Sequence, residues 1–257
     1  MHPDPTTRFT SRAEAYQRYR PSYPRELLTL LERDCGLTPR SVIADVGCGT
    51  GILAQLLVEY GCEVFGVEPN AAMRAAAGDA LGQDPRFHSI DGRAESTTLP
   101  DRSIDLVTAG QAFHWFDPAG ARREFQRILK QPAWLVLVWN ERHPGSGMQA
   151  DYEAVIREWA PEKNRIDESA IDVVFGHRDW KLTEFPNQQQ LDLQGLQGRV
   201  ASSSYAPQAG TPAFLNLMEA LSRIFARHQV AGRVTLLYDT KVYSGAIAYS
   251  DTPSRPS

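Results

Sequence analysis

Three glycines spaced two residues apart follow a short apolar run and are placed to bring bare main chain against a ligand. Residues 42–46 are apolar apart from one aspartate, and Gly47, Gly49 and Gly51 come next. Residues 52–60 then place apolar side chains on one face of a 3.6-residue period, which predicts a helix. A strand, a glycine turn and a helix in this order let a ligand approach the backbone at a helix N-terminus. The pattern therefore predicts a binding loop at these glycines.

The glycine spacing indicates which class of ligand such a loop binds. Dinucleotide-binding loops have G-x-G-x-x-G or G-x-G-x-x-A, whereas here the third small position is occupied by Ile52. A Walker loop requires Lys-Ser or Lys-Thr after the turn, and this segment has neither. The pattern beginning at Asp45 is instead D-x-G-x-G-x-G. It disfavours a nicotinamide cofactor and excludes a Walker-type phosphate loop.

A carboxylate is predicted at the end of the next strand. Residues 62–67 have the composition of a strand, and Glu68 follows directly. The carboxyl ends of parallel strands meet at one edge of a sheet, so Glu68 is placed to accept hydrogen bonds from a ribose diol. Nucleotide dehydrogenases also carry an acid here, so Glu68 indicates an adenosine ligand without distinguishing between cofactors.

Polar and aromatic residues follow the fourth predicted strand. A third strand is predicted at 87–90 and a fourth at 103–109, after which come Gln111, His114 and Trp115. Ligands of open α/β sheets bind outside the carboxyl ends of the strands, which places these residues beside a substrate. The alternative is that the aromatic rings pack the following helix and that His114 is structural.

Taken together, these motifs resemble the class I S-adenosylmethionine (SAM)-dependent methyltransferases, specifically the type 11 small-molecule family. The chain shares with that family the acidic residue before G-x-G-x-G, the stretch Gly92-x-Ala94-Glu95 with Leu99-Pro100, Asp105 opening a strand, and an aromatic loop at 114–116. The resemblance covers residues 9–142 well and 180–247 loosely. Within this family, the chain is similar to trans-aconitate-type carboxyl methyltransferases. It implies SAM as cofactor and S-adenosylhomocysteine as product.

The resemblance also implies roles for individual residues. The predicted cofactor contacts are Tyr19, Asp45, Gly47, Cys48, Gly49, Gly51, Glu68, Pro69, Met73, Ala94, Glu95 and Gln111. The predicted acceptor contacts are Tyr16, Arg20, His114, Trp115, Arg199 and Tyr205. A carboxylate acceptor is already ionised at neutral pH, whereas a phenol or alcohol requires a base, for which His114 is the best-placed histidine. The alternative for Arg199 is a surface position.

Strands alternating with helices between 41 and 142 predict an α/β fold with a doubly wound, mostly parallel sheet. The resemblance extends this to a seven-stranded Rossmann-like methyltransferase sheet with an N-terminal lid and an inserted helical cap. The predicted divisions begin with a lid and helix at 1–40 and a SAM-binding core at 41–142. A cap is predicted at 143–232, and it includes an added strand near 180–193. A final, antiparallel strand at 233–249 and a tail at 250–257 follow.

Composition narrows the possible partners. With 257 residues and a net charge of −4, the chain gives no electrostatic reason to expect a nucleic acid or an anionic membrane. The apolar run at 133–139 is too short to span a bilayer, and the first residues lack a signal-peptide pattern. Three cysteines without paired spacing indicate a reducing, cytoplasmic setting, and six scattered histidines predict no metal site.

These observations favour a small-molecule methyltransferase that is a monomer or homodimer. Two other functions remain open from the sequence. One is a non-catalytic SAM-binding regulatory module, which would bind SAM without releasing S-adenosylhomocysteine. The other is an NAD(P)-dependent oxidoreductase, which titration with SAM and with NADH would separate from a methyltransferase.

Overall fold

The computed structural model describes residues 13–159, 167–203 and 205–248, with side chains from residue 16 onward. The strands are β1 (Val42–Val46), β2 (Glu63–Val67), β3 (Phe87–Ile90), β4 (Ile104–Gly110), β5 (Leu129–Arg142), β6 (Lys181–Leu191) and β7 (Val234–Ala246). The helices are α1 (Ala13–Tyr19), α2 (Glu26–Cys35), α3 (Ile52–Tyr60), α4 (Ala71–Leu81), α5 (Pro118–Ile128), α6 (Met148–Arg157), α7 (Glu168–Phe175), α8 (Leu193–Ala201) and α9 (Pro212–His228). The predicted tail at 250–257 lies outside the described residues.

All seven strands form one sheet in the order β3-β2-β1-β4-β5-β7-β6. The neighbouring pairs from β3 to β5 are parallel, and β7 runs antiparallel to both β5 and β6. This confirms the predicted seven-stranded, mostly parallel α/β sheet and its antiparallel final strand. The strand order reverses between β1 and β4, which is the position where open α/β sheets bind ligands.

Apolar cores on both faces of the sheet explain why its central strands are hydrophobic without alternation. In β5, Leu135 and Leu137 belong to one buried cluster, while Val136 and Val138 belong to the other. Successive side chains of a strand point to opposite faces, so a strand covered on both sides must be apolar at every position. The cores fix the sheet and thereby fix the strand ends that carry the polar residues.

Two elements differ from the sequence-based prediction. Strand β5 is much longer than the apolar run at 133–139, because the chain passes from Ile128 at the end of α5 directly into the strand at Leu129. Helix α7 was not predicted, although its signals are present. Its first turn is capped by Asp167, whose side chain accepts a hydrogen bond from the Ser169 N–H, and it ends at Gly176 with φ of 79°.

Side-chain caps begin two of the helices that follow strands of the sheet. The Asn70 side chain accepts hydrogen bonds from the Ala72 and Met73 N–H groups, which begins α4. Asp117 caps α5 in the same way, with Pro118 at the first helical position. Both side chains therefore satisfy backbone N–H groups of the first helical turn. Within the described ranges, no helix has the combination of length and apolarity needed to cross a membrane.

Candidate active site

A cavity opens at the carboxyl ends of β1, β2 and β4. Its volume, with the open mouth included, is about 1310 Å³. The predicted site residues that line it are Tyr16, Arg20, Gly47, Cys48, Gly49, Glu68, Pro69, Met73, Ala94, Glu95, Gln111, His114 and Trp115. Lining residues that the sequence analysis did not select are Tyr23, Ile52, Leu53, Arg93, Gly110, Ala112, Phe116 and Trp139. Most of the predicted cofactor and acceptor contacts therefore share one space.

Five predicted site residues do not line this cavity, and two of them have a packing role. A Cβ on Gly198 would lie 2.4 Å from the Tyr19 ring, so that ring packs on α8 instead of facing the cofactor space. Gly51 has φ of 86°, and a Cβ there would lie 2.9 Å from the Leu81 side chain. Tyr19 and Gly51 therefore lie outside the cavity lining, and their roles as cofactor contacts stay predictions. Asp45, Arg199 and Tyr205 are placed below.

The glycine loop is fixed at its first residues by backbone hydrogen bonds and by close packing. The N–H groups of Gly47 and Cys48 both donate to the Val67 carbonyl at the end of β2, at 2.8 and 3.2 Å. Gly47 has φ of 68°, and a Cβ there would lie 2.5 Å from the Cβ of Ala112. Gly49 has φ of 57° but meets nothing within 4 Å. The loop is therefore held tightly on the protein side and left open where it borders the cavity.

Glu68 is held at the cavity by backbone donors. Its Oε2 accepts from the Gly49 N–H at 3.1 Å, and its Oε1 accepts from the Asn70 N–H at 2.8 Å. The residue is 9% exposed, and this burial raises the pKa of its carboxyl. Each carboxylate oxygen has further acceptor capacity beyond one backbone bond. The position and remaining capacity of Glu68 suit a ligand with adjacent hydroxyl groups.

Asp45 lies beneath the loop and not in the cavity, which corrects its prediction as a direct cofactor contact. It is fully buried in β1, where its Oδ1 accepts a hydrogen bond from the Thr108 hydroxyl at 3.0 Å. Its Oδ2 has no hydrogen-bond partner within the described part of the chain. Burial raises the pKa of Asp45 to about 7. The acid of the motif therefore joins β1 to β4 under the binding loop.

We expect Asp45 to make the stability of the protein depend on pH. Below an unfolded pKa near 4 the group is protonated in both states, so it contributes no penalty. Between that value and the folded pKa of about 7, Asp45 is protonated in the folded state but ionised in the unfolded state. The free energy of unfolding should therefore fall as the pH rises, by up to about 2 kcal/mol from pH 5 to pH 7.

The Asp45→Asn variant isolates this contribution, because the amide keeps an acceptor for Thr108 and does not titrate. Denaturant unfolding across this pH range should give a flatter profile for the variant than for the parent. Asp79→Asn is the matched control, since Asp79 is exposed on α4. Equal pH profiles for the parent and Asp45→Asn would contradict the assignment.

An aromatic wall surrounds His114. Its ring centroid lies 4.6 Å from that of Trp115 and 5.1 Å from that of Trp139, the latter edge-on. His114 is exposed where it lines the cavity. Neighbouring protein atoms nevertheless withdraw the imidazole from part of the solvent and lower its pKa to about 4. His114 is therefore neutral at physiological pH and is a weak base.

Gln111 adopts an uncommon backbone conformation next to the cavity. Its φ is 58°, a left-handed value that costs a non-glycine residue about 1–3 kcal/mol. The conformation is held by two bonds: its N–H donates to the Val138 carbonyl at 2.9 Å, and its Nε2 donates to the Asn140 carbonyl at 3.1 Å. Strain of this kind is concentrated at functional sites, where surrounding contacts enforce it.

The segment after α1 lies over the cavity and is attached by side-chain amides of the sheet. The Gln189 amide donates to the Tyr19 carbonyl at 2.9 Å, and the Asn187 amide donates to the Ser22 carbonyl at 2.8 Å. The Arg20 guanidinium lies over the Tyr16 ring at 4.5 Å from its centroid. This places the predicted lid residues against the cavity, with their main chain joined to the edge strand β6.

The fold and this cavity define the class of Rossmann-like proteins that hold a nucleoside cofactor. An open glycine loop after β1 and a buried acid after β2 fit the main-chain and sugar contacts of SAM. The lack of any atom within 4 Å of a Cβ on Gly49 supports that fit, because the cofactor needs the loop backbone to be accessible. Among the described residues there is no group of three or more metal-ligating side chains.

Comparisons with known proteins identify the family. Residues 44–137 match the model of a methyltransferase domain. An uncharacterized methyltransferase of Mycobacterium tuberculosis is 34% identical over 226 residues, which cover 88% of each chain. A structure described as a type II methyltransferase of Anaeromyxobacter dehalogenans superposes with a TM-score of 0.65 at 22% identity, covering 89% of this chain and 98% of that one.

The chain belongs to the methyltransferase family. It is a class I SAM-dependent methyltransferase, and SAM is its cofactor. The YcgJ methyltransferase of Bacillus subtilis is a further relative, 27% identical over 212 residues that cover 80% of each chain. The predicted family, enzyme class and cofactor are therefore confirmed, and the nicotinamide alternative is set aside.

Proposed function

We propose that this enzyme transfers the methyl group of SAM to an oxygen of a small-molecule acceptor, either a carboxylate or a hydroxyl. The observation that carries the proposal is that Glu68, the open glycine loop and His114 border one cavity. Residues predicted to contact the cofactor and residues predicted to contact the acceptor line this one cavity, which supports a site for both ligands. The acidic net charge of −4 supports a small molecule and not a nucleic acid.

The residues at one end of the cavity bind the cofactor in this proposal. The backbone of the glycine loop holds the amino-acid end of SAM, and Glu68 holds its ribose. Pro69 and Met73 lie beside the sugar, while the Ala94–Glu95 edge borders the adenine. When bound, SAM supplies a methyl group on a positively charged sulfur. A cytoplasmic location and a monomeric or homodimeric state complete the proposal.

The residues at the other end position the acceptor. Methyl transfer is an in-line displacement, so holding the acceptor oxygen at near-attack distance is the main task of the protein, worth up to about 7–11 kcal/mol. Aromatic rings such as Trp115 stabilise nearby positive charge by about 0.5–2 kcal/mol. The weak basicity of His114 favours an acceptor that is already ionised, which a carboxylate is and an alcohol is not. We assign His114 as a hydrogen-bonding contact to the acceptor.

Product formation tests the proposal. The purified chain is incubated with SAM and a panel of small carboxylic acids and phenols, and S-adenosylhomocysteine is followed by chromatography. We expect turnover with a carboxylic acid and a methyl ester that is cleaved by mild alkali. Binding of SAM without product across the panel would contradict the proposed acceptor class. Turnover with phenols alone would assign the hydroxyl alternative.

The His114→Gln variant is expected to raise KM for the acceptor about tenfold and to change kcat by no more than about threefold, because a positioning contact is lost and no base is removed. Because the pKa of His114 is about 4, the parent kcat should also stay flat from about pH 6 to about pH 8. Steady-state kinetics with the best acceptor measures both quantities.

His88→Gln is the control for this substitution, since His88 lies on β3 outside the cavity lining. A fall in kcat of about 100-fold at unchanged KM would show instead that His114 removes a proton in the rate-determining step.

A further inference from the structure

A second polar cluster lies behind the lid, outside the residues that line the cavity. Arg199 of α8 is only 5% exposed, which overturns its alternative as a surface arginine. The groups whose charges act on it are the tyrosines Tyr152, Tyr205 and Tyr238. Tyr205 was predicted as an acceptor contact, but it belongs to this cluster. The cluster is therefore buried and polar, and it joins the cap to β7.

One serine hydroxyl connects this cluster to the cavity. The Ser203 Oγ accepts from Arg199 Nη1 at 3.2 Å and from Arg20 Nη2 at 3.4 Å. Arg20 Nη2 also donates to the Ser202 carbonyl at 3.3 Å. Both serines are fully buried, whereas Arg20 itself lines the cavity. Two guanidinium groups thus lie on either side of one hydroxyl, and one of them reaches the cavity.

The charges of these two arginines are not balanced by a carboxylate among the residues that the structure describes. Within residues 13–159, 167–203 and 205–248, neither Arg20 nor Arg199 forms an ion pair with a carboxylate. The nearby Arg142 differs, because it is paired with Glu153. The Nε atoms of Arg20 and Arg199 are also buried without a hydrogen-bond partner in the same described ranges. Arg199 is buried and Arg20 is partly buried. A guanidinium removed from water without a carboxylate partner is costly, and a bound anion would offset that cost.

The two arginines differ in their electrostatic environment. Burial disfavours the charge of Arg199, yet the surrounding tyrosines outweigh burial and raise its pKa. Burial lowers the pKa of Arg20, and the charge of Arg199 lowers it further. Burial alone would raise the pKa of Tyr205, yet the positive charges of Arg199, Arg142 and Arg20 outweigh burial and lower it. The region therefore carries a positive potential that favours an anion.

The cofactor adds positive charge overall, although it also carries one carboxylate. SAM carries an ammonium, a carboxylate and a sulfonium, so its net charge is positive and its binding adds to the excess. The acceptor is the only other ligand that the proposed reaction requires. The charge balance therefore falls to the acceptor.

We propose that the methyl acceptor is an anion whose carboxylate or phosphate group binds to Arg20, and that Arg199 is a positioning residue that holds a second positive charge behind it. The proposal rests on the proposed function, because it concerns the acceptor end of the same cavity. Arg20 makes the direct contact, because it lines the cavity. Arg199 acts through Ser203, so the pair selects negatively charged acceptors over neutral molecules of the same shape.

Thermal unfolding of the protein saturated with S-adenosylhomocysteine tests this, with succinate and inorganic phosphate as probes. At fixed ionic strength, at least one anion should raise the unfolding midpoint, and neutral succinamide should not. Arg20→Gln and Arg199→Gln should lose the anion-dependent shift while keeping the Kd for S-adenosylhomocysteine within about threefold of the parent. Arg18→Gln is the matched control, because Arg18 is exposed on α1, two residues before Arg20; it should keep both properties.

Two further variants separate charge from folding. Arg199→Lys should restore part of the anion-dependent shift, since it returns the positive charge but not the guanidinium geometry. Arg199→Met should raise the unfolding midpoint of the ligand-free protein by about 2–4 °C, because it removes an unpaired buried charge. A purely structural role for Arg199 predicts the opposite sign.

Three results would overturn the proposal. The first is an anion-dependent shift that is the same in the parent and in both arginine variants, and the second is no shift with either anion. The third is a loss of about tenfold or more in S-adenosylhomocysteine affinity in Arg20→Gln, which would assign this arginine to the carboxylate of the cofactor. Failure of the proposed function is distinguishable, because it would appear as a parent protein that binds S-adenosylhomocysteine but methylates neither acids nor phenols.

Discussion

Replacing Glu68 by alanine is expected to weaken SAM binding by about 100-fold or more. The carboxylate is placed to accept hydrogen bonds from both ribose hydroxyls, and bonds to a charged group contribute about 1.5–3 kcal/mol each. The substitution also removes the acceptor that fixes the Gly49 N–H at 3.1 Å. The loss therefore combines a missing ligand contact with a less ordered glycine loop. Calorimetric titration with SAM measures it.

Two variants make this result specific. Glu68→Gln keeps the size of the side chain and one good acceptor, so its affinity should fall by only about tenfold. Glu63→Ala is the matched control, because Glu63 begins β2, the strand that Glu68 follows, but is exposed and paired with His88 at 3.0 Å. It should bind SAM as the parent does. If Glu68→Ala bound SAM as tightly as the parent, the ribose assignment would fail.

The position of Glu68 was predictable from the sequence because strand ends were predictable. An apolar run followed by an acid fixes which side chain stands at the carboxyl edge of a parallel strand. The same argument located Gln111 and His114 after β4. What the sequence could not show is that Glu68 bonds the loop at Gly49, since that contact depends on how two turns from different strands meet.

Some features of the site could not be predicted because they depend on how distant segments meet. Trp139 lies within the apolar run at 133–139, which marks it as strand core, yet it also lines the cavity. Arg199 has the side chain of a surface residue, yet α8 is covered by the Tyr19 ring of the lid. A single-sequence pattern contains no information on which distant helix covers another.

The largest expected effect on stability is that of Gly47→Ala. A left-handed φ costs an alanine about 1–2 kcal/mol, and Gly47 has φ of 68°. In addition, the new Cβ would lie 2.5 Å from the Cβ of Ala112, a contact that forces backbone to move because neither group can rotate away. Overpacking of this kind costs about 1–3 kcal/mol. The unfolding midpoint should fall by roughly 5–15 °C, with SAM binding lost as the loop is displaced.

Gly49→Ala should separate binding from stability. Its φ of 57° carries a similar backbone cost, but its Cβ meets nothing within 4 Å. The midpoint should therefore fall by only about 2–4 °C. SAM affinity should nevertheless drop by about tenfold or more, because the methyl group occupies space that the cofactor needs beside the loop.

Gly36→Ala distinguishes the backbone cost from the site effect. Gly36 ends α2 with φ of 69°, has open space at its Cβ position, and does not line the cavity. It should match Gly49→Ala in stability and match the parent in SAM affinity. The decisive comparison is between these two alanines, because their backbone strain is equal and only their distance from the cofactor differs. Equal SAM affinities in the two variants would mean that the loop at Gly49 does not contact the cofactor.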